Sequence, residues 1–173
     1  FHGCVGEDFS DATPDGLQAM ADYELSQGVT YICPAGMTLP EEQLQRICEN
    51  AAAHRAKATS GAYLAGVNLE GPFLCAAKKG AQNGAFLHDP DGDMLHRLQQ
   101  AAHGLVKLVT VAPEQPGSLP FIASARADGI TVSVGHTTAD YDTALAAFQA
   151  GHSPVQRHAS LYPSRPRRHR RRV

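Results

Sequence analysis

The chain has 173 residues, of which 43% are hydrophobic and 18% charged, enough for one domain with a real core. No apolar run approaches the roughly 18 residues that a membrane helix needs, which excludes a spanning segment and predicts a soluble protein. The net charge of −2 conceals a split: all 17 acids lie in residues 1–150 with 8 of the 15 basic residues, and the other seven, all Arg, fall in 151–173. An acidic body joined to an Arg-only tail is a composition break, so two units are expected, a domain over 1–151 and a disordered tail over 152–173.

The chain opens at Phe1 without an initiator Met or a charged-then-apolar leader, and it reads as a piece cut from something longer. His2-Gly3 follows at once, and an imidazole this close to a first strand is a candidate metal ligand. Residues 17–26 have amphipathic helical character, and 29–33 (VTYIC) form a short β-branched apolar run. Thr38 to Glu42 look like a capped helix start with Pro near the first helical position, leading a helix over 41–57. Residues 62–69 (AYLAGVNL) are the next apolar run and end on Glu70-Gly71-Pro72-Phe73. Lys78-Lys79-Gly80-Ala81-Gln82 then offers glycine-flanked amides beside lysines, which suit either an anion or plain solvent. A helix over 93–104 leads to the strand 106–111 (VKLVTV), which ends on Ala112-Pro113-Glu114. A helix over 119–128 leads to the strand 130–134 (ITVSV), which ends on Gly135-His136-Thr137-Thr138, with a last helix over 138–151.

Strands alternating with helices imply βαβ units and a parallel sheet. About four units are present, half of an eight-unit barrel, although an open doubly wound sheet has the same periodicity. In both architectures chemistry sits where strands end. Glu70 and His136 are therefore metal-ligand candidates, because zinc takes carboxylate oxygen and imidazole nitrogen and keeps one open position for catalysis. The four cysteines, Cys4, Cys33, Cys48 and Cys75, form no CxxC pair and fit no small disulfide framework. They read as free thiols in a reducing cytoplasm. No phosphate-binding glycine fingerprint occurs, so nucleotide cradling has no support, and the lack of a GxSxG elbow argues against a serine hydrolase.

Together the segments HGCVGEDFSDAT (2–13), GVTYICPAGMT (28–38), GVNLEGPFLCAAKKGAQN (66–83), KLVTVAPE (107–114) and GITVSVGHTTADY (129–141) resemble the N-acetylglucosamine-6-phosphate deacetylases of the amidohydrolase superfamily. The resemblance implies an α/β fold, a partial (β/α)8 TIM barrel of the metal-dependent amidohydrolase type. It implies metal-ligating roles for Glu70 and His136, and a second-metal role for His2. It also implies a backbone contact from Ala81 to a sugar phosphate. The implied reaction is hydrolysis of N-acetylglucosamine 6-phosphate to glucosamine 6-phosphate and acetate, with a divalent metal as cofactor: zinc first, with iron, manganese or cobalt also suited. The implied partner is a small amino-sugar phosphate, with no membrane and no nucleic acid, and full-length members are usually homodimers. The general-base Asp is expected beyond this chain, and the third ligating His belongs to a THLYNAM-like segment that should follow Gly151. His158 has the wrong neighbours for that role.

The tail has its own explanation. Permissible codons from His152 onward, read one nucleotide later, spell Thr-His-Leu-Tyr-Asn-Ala-Met, so the tail is expected to be a shifted reading frame and the polypeptide to be catalytically inactive. The rival expectation is a non-catalytic module whose six Arg in 165–172 contact nucleic-acid phosphates.

Overall fold

The computed structural model describes residues 1–151, and the Arg-rich tail lies outside them. Two short antiparallel strands, β1 (Gly3–Cys4) and β2 (Glu7–Asp8), form a hairpin at the start. Helix α1 (Pro14–Ser26) begins three residues before the apolar pattern does, because Pro14 supplies a preset φ at its first position. Strands β3 (Tyr31–Ile32) and β4 (Ala35–Gly36) precede α2 (Glu41–Lys57). That helix has the predicted bounds, with Glu41 and Glu42 in its first turn and His54, Arg55 and Lys57 in its last, as the helix dipole favours. Thr38 does not cap it; the N-cap is Pro40, with no side-chain bond.

The predicted 62–69 strand is divided into β5 (Tyr63–Leu64) and β6 (Val67–Leu69). The break falls at Gly66, where a Cβ would lie 2.3 Å from Lys107 Cγ and 2.9 Å from the Leu105 carbonyl oxygen. Helix α3 (Gly92–Ala101) is capped by Asp91, whose carboxylate accepts the Met94 N–H at 3.0 Å. Strand β7 (Val106–Val111), helix α4 (Ser118–Ala127), strand β8 (Thr131–Val134) and helix α5 (Tyr141–Gly151) complete the described chain.

Strands β4, β6, β7 and β8 lie side by side in that order, every pair parallel, and β3 pairs in parallel with β5. The N-terminal residues extend this arrangement beyond β4, since the Ala35 N–H donates to the Phe1 carbonyl at 2.8 Å. Each of β4, β6, β7 and β8 is followed by a helix, and the strand order increases steadily across the sheet, as in a barrel. A doubly wound sheet would reverse at a switch point.

The core lies between sheet and helices. It contains Leu44, Ile47 and Cys48 of α2, Val67 and Leu69 of β6, Leu98 of α3, Val109 and Val111 of β7, and Ile122 of α4. Burying each of the larger aliphatic side chains contributes about 1.5–3 kcal/mol. The four cysteines are free. Burial, with Glu49 beside it, pushes the Cys48 thiol up to about 12, whereas Cys33 is exposed. A thiol reagent at pH 8 is thus expected to label Cys33 in the native chain and to reach Cys48 only in denaturant, read by mass spectrometry of the labelled peptides. Cys48 labelling at the native rate of Cys33 would contradict this packing.

Candidate metal centre

Three of the predicted ligands converge at the C-terminal ends of the strands. Glu70 follows β6 directly, and His136 follows β8 after one glycine. His2 reaches the same place along the segment beside β4. His136 Nε2 lies 2.9 Å from Glu70 Oε1, and His2 Nε2 lies 3.3 Å from Glu70 Oε2. Residues 70 and 136 stand 66 apart in sequence and meet only because β6 and β8 both flank β7.

The outer nitrogens of both rings are committed. His136 Nδ1 is 2.9 Å from the Lys78 carbonyl oxygen, and His2 Nδ1 is 2.9 Å from that of Ala35. A carbonyl only accepts, so each Nδ1 carries its hydrogen, and Nε2 is the nitrogen that each ring turns toward Glu70. Two lone pairs facing one carboxylate repel unless a positive charge lies between them, either a proton on each ring or a shared cation. This donor set therefore fits a divalent metal: two imidazole nitrogens, a carboxylate, and backbone carbonyls fixing the tautomers as they do around bound zinc. The trio is closed on itself, each imidazole taking its own carboxylate oxygen. Among the described residues no group of three His, Cys, Asp or Glu is already spread to hold an ion.

Glu70 is held below the usual carboxylate range. Its burial acts the other way, but the His136 hydrogen bond, the neighbouring His2 and His136, and a hydrogen bond from Gln82 together outweigh it. Gln82 is 2% exposed. Its amide oxygen accepts the Thr38 N–H at 2.7 Å, and its amide nitrogen donates to Glu70 Oε1 at 3.4 Å. Gly71 makes room for this packing, with φ at +108° and a Cβ position only 2.1 Å from Thr38 Oγ1. No other residue fits there.

Ala81, the other predicted site residue, is exposed on the 78–82 loop and stands outside the cluster. That loop passes over His136, since a Cβ on Gly80 would lie 3.9 Å from His136 Cε1. The Lys79 ammonium donates to the Gln82 carbonyl at 3.0 Å, which ties the loop to itself. Sequence reasoning missed the structural part played by Gln82, although the residue lies in the segment GVNLEGPFLCAAKKGAQN (66–83). A polar side chain between two glycine-rich turns was the available signal.

No protein-family model matches the chain. Curated relatives do. The N-acetylglucosamine-6-phosphate deacetylase of Bos taurus is 37% identical over 155 residues, which take up 87% of this chain and 38% of that protein. The Bacillus subtilis enzyme of the same name is 33% identical, covering 88% of this chain and 39% of its own length. Among solved structures, the N-acetyl-D-glucosamine-6-phosphate deacetylase of Mycobacterium smegmatis superposes with a TM-score of 0.81 at 35% identity, over 87% of this chain and 39% of that one. A variant of that enzyme was crystallised with N-acetyl-D-glucosamine-6-phosphate, and it superposes equally well.

A steadily ordered parallel sheet with carboxylate and imidazole at its C-terminal rim is thus part of a (β/α) barrel of the amidohydrolase kind. Within that class the chain is a partial homologue of the N-acetylglucosamine-6-phosphate deacetylases. It spans somewhat over a third of the length of the curated relatives it matches.

Proposed function

We propose that residues 1–151 form the metal-ligating part of an enzyme that removes the acetyl group from N-acetylglucosamine 6-phosphate. In this reading Glu70 and His136 hold a divalent cation and His2 stands beside it. The observation that carries the proposal is the Glu70 carboxylate between two imidazoles whose Nδ1–H groups are both spent on carbonyls. A metal bound there would polarise an amide carbonyl and sharpen a water at neutral pH. Zinc suits this donor set, as do iron, manganese and cobalt.

The chain's own residues orient the site. The Lys78 and Ala35 carbonyls keep the rings in the tautomer that offers Nε2, and Gln82 steadies the Glu70 carboxylate. In this reading Ala81, exposed on the loop over His136, presents its backbone to the phosphate of the sugar, the role that the family resemblance implies for it. Four free thiols agree with a reducing cytoplasm. Among the described residues no helix is long and apolar enough to cross a membrane.

The family resemblance assigns the third ligand and the general-base Asp to segments other than residues 1–151. A general base contributes about 10²–10⁴-fold to such reactions. The 173-residue polypeptide alone is therefore expected to release no acetate from N-acetylglucosamine 6-phosphate with any divalent metal. Grafting residues 1–151 in place of the matching segment of the Mycobacterium smegmatis enzyme is expected to give metal-dependent acetate release that His136→Ala abolishes. A folded graft without activity, or one indifferent to His136→Ala, would overturn the proposal.

A further inference from the structure

Glu114 stands at the end of β7, between the strand ends that carry Glu70 and His136, yet its carboxylate takes no part in the cluster. It turns to the two residues after His136. Glu114 Oε1 accepts the Thr138 N–H at 2.6 Å and the Thr138 hydroxyl at 2.9 Å, and Oε2 accepts the Thr137 hydroxyl. The Thr137 oxygen in turn accepts the Ala139 N–H at 2.8 Å. One carboxylate thus knits the whole turn from 137 to 139.

The turn needs such a hold. His136 has φ at +50°, in the left-handed region that a residue with a Cβ keeps only when its surroundings over-determine it. On one side the Cys75 N–H donates to the His136 carbonyl at 3.0 Å, and the Lys78 carbonyl fixes the ring. On the other side the fixed points are the bonds to Glu114. These bonds are not needed to start α5, because Asp140 already accepts the Thr143 N–H at 2.8 Å. Part of the Glu114 carboxylate is buried, which alone would raise its pKa. The bonds from Thr137 and Thr138 outweigh that and keep it below the usual range.

We propose that Glu114 is a positioning residue: through Thr137 and Thr138 it holds the left-handed turn that aims the His136 imidazole at Glu70. The metal-affinity part of this rests on the reading of His136 as a ligand; the orientation of the ring does not. Partners that orient a ligand in this way commonly contribute about 10–100-fold to metal affinity.

The test uses the full 173-residue chain and two readouts. The first is cobalt affinity from the visible d–d absorption. The second is the ring tautomer of each histidine without metal, from long-range proton–nitrogen correlation spectra. Glu114→Ala is expected to weaken cobalt binding about 10–100-fold and to erase the Nδ1–H preference of His136 while leaving that of His2. Glu114→Gln, which keeps one acceptor oxygen, should recover part of the loss. In a His136→Ala background Glu114→Ala should cost nothing further. If Glu114→Ala fails to fold, Thr137→Val removes one of the three bonds to Glu114, together with the Thr137 bond to the Ala139 N–H, and should shift both readouts the same way by less. Unchanged affinity and tautomer in the folded variants would overturn the proposal. If the wild-type chain takes up no cobalt, the ligand reading falls, and the tautomer alone decides whether Glu114 aims His136.

Discussion

Replacing His136 with Ala, or Glu70 with Gln, is expected to weaken zinc or cobalt binding by more than about 100-fold, beyond the 10–100-fold that losing an orienting partner costs. Each change removes a donor itself. His136→Ala takes away the nitrogen 2.9 Å from Glu70, and Glu70→Gln takes away the only negative charge in the cluster. His2→Ala should cost less, because its contact to Glu70 is longer, 3.3 Å, and its side chain is more open, 38% against 26% for His136. Isothermal titration of the purified chain measures all three. A thermal melt gives an independent reading, since a ligand that binds only the folded state raises the midpoint with concentration. Wild-type chain should melt higher with added zinc, and His136→Ala should not respond. Undiminished affinity in both His136→Ala and Glu70→Gln would place the donors elsewhere and remove the ground for the proposed chemistry.

The order of strands and helices was legible because each apolar run is short, β-branched and bounded by turn residues. Helix α2 and strand β7 match their predicted bounds. The misses have local causes. Strand β4 is only Ala35–Gly36, too short and too small in its side chains to show any periodicity. Helix α5 starts at Tyr141 rather than Thr138, because the cap is Asp140, whose carboxylate accepts the Thr143 N–H. Thr38 looked like a cap but is buried, with its N–H given to Gln82. At the site, a carboxylate and an imidazole at strand ends could be picked from sequence, because a parallel sheet puts its strand ends on one rim. What no spacing rule reports is which rim residues turn inward. Glu70 and Glu114 both follow strands, yet one faces two imidazoles and the other two threonines. That difference is set by the 70–82 loop and by the left-handed turn at His136, both long-range features.

Phe73→Ala is expected to cost about 3–5 kcal/mol, a large share of the roughly 5–15 kcal/mol that holds a typical domain together. Phe73 belongs to the same EGPF turn as Glu70 but points the other way. It is fully buried, its ring centroid 4.8 Å from that of Phe121 on α4 with 59° between the planes. Its carbonyl accepts the Ala112 N–H at 2.9 Å, which ties the turn to the end of β7. The side chain is thus an anchor for the turn that carries Glu70, and its loss leaves a cavity between that turn and α4. A urea melt should show a lower midpoint with an unchanged slope. Phe148→Ala, on a side chain 42% exposed, should stay within about 0.5 kcal/mol. Metal cannot repair the core variant: at a hundred times its dissociation constant a ligand returns only about 2.7 kcal/mol, less than the cavity costs. Zinc should therefore raise the Phe73→Ala midpoint without restoring it. Full restoration by zinc would mean that the turn is held by the metal rather than by Phe73.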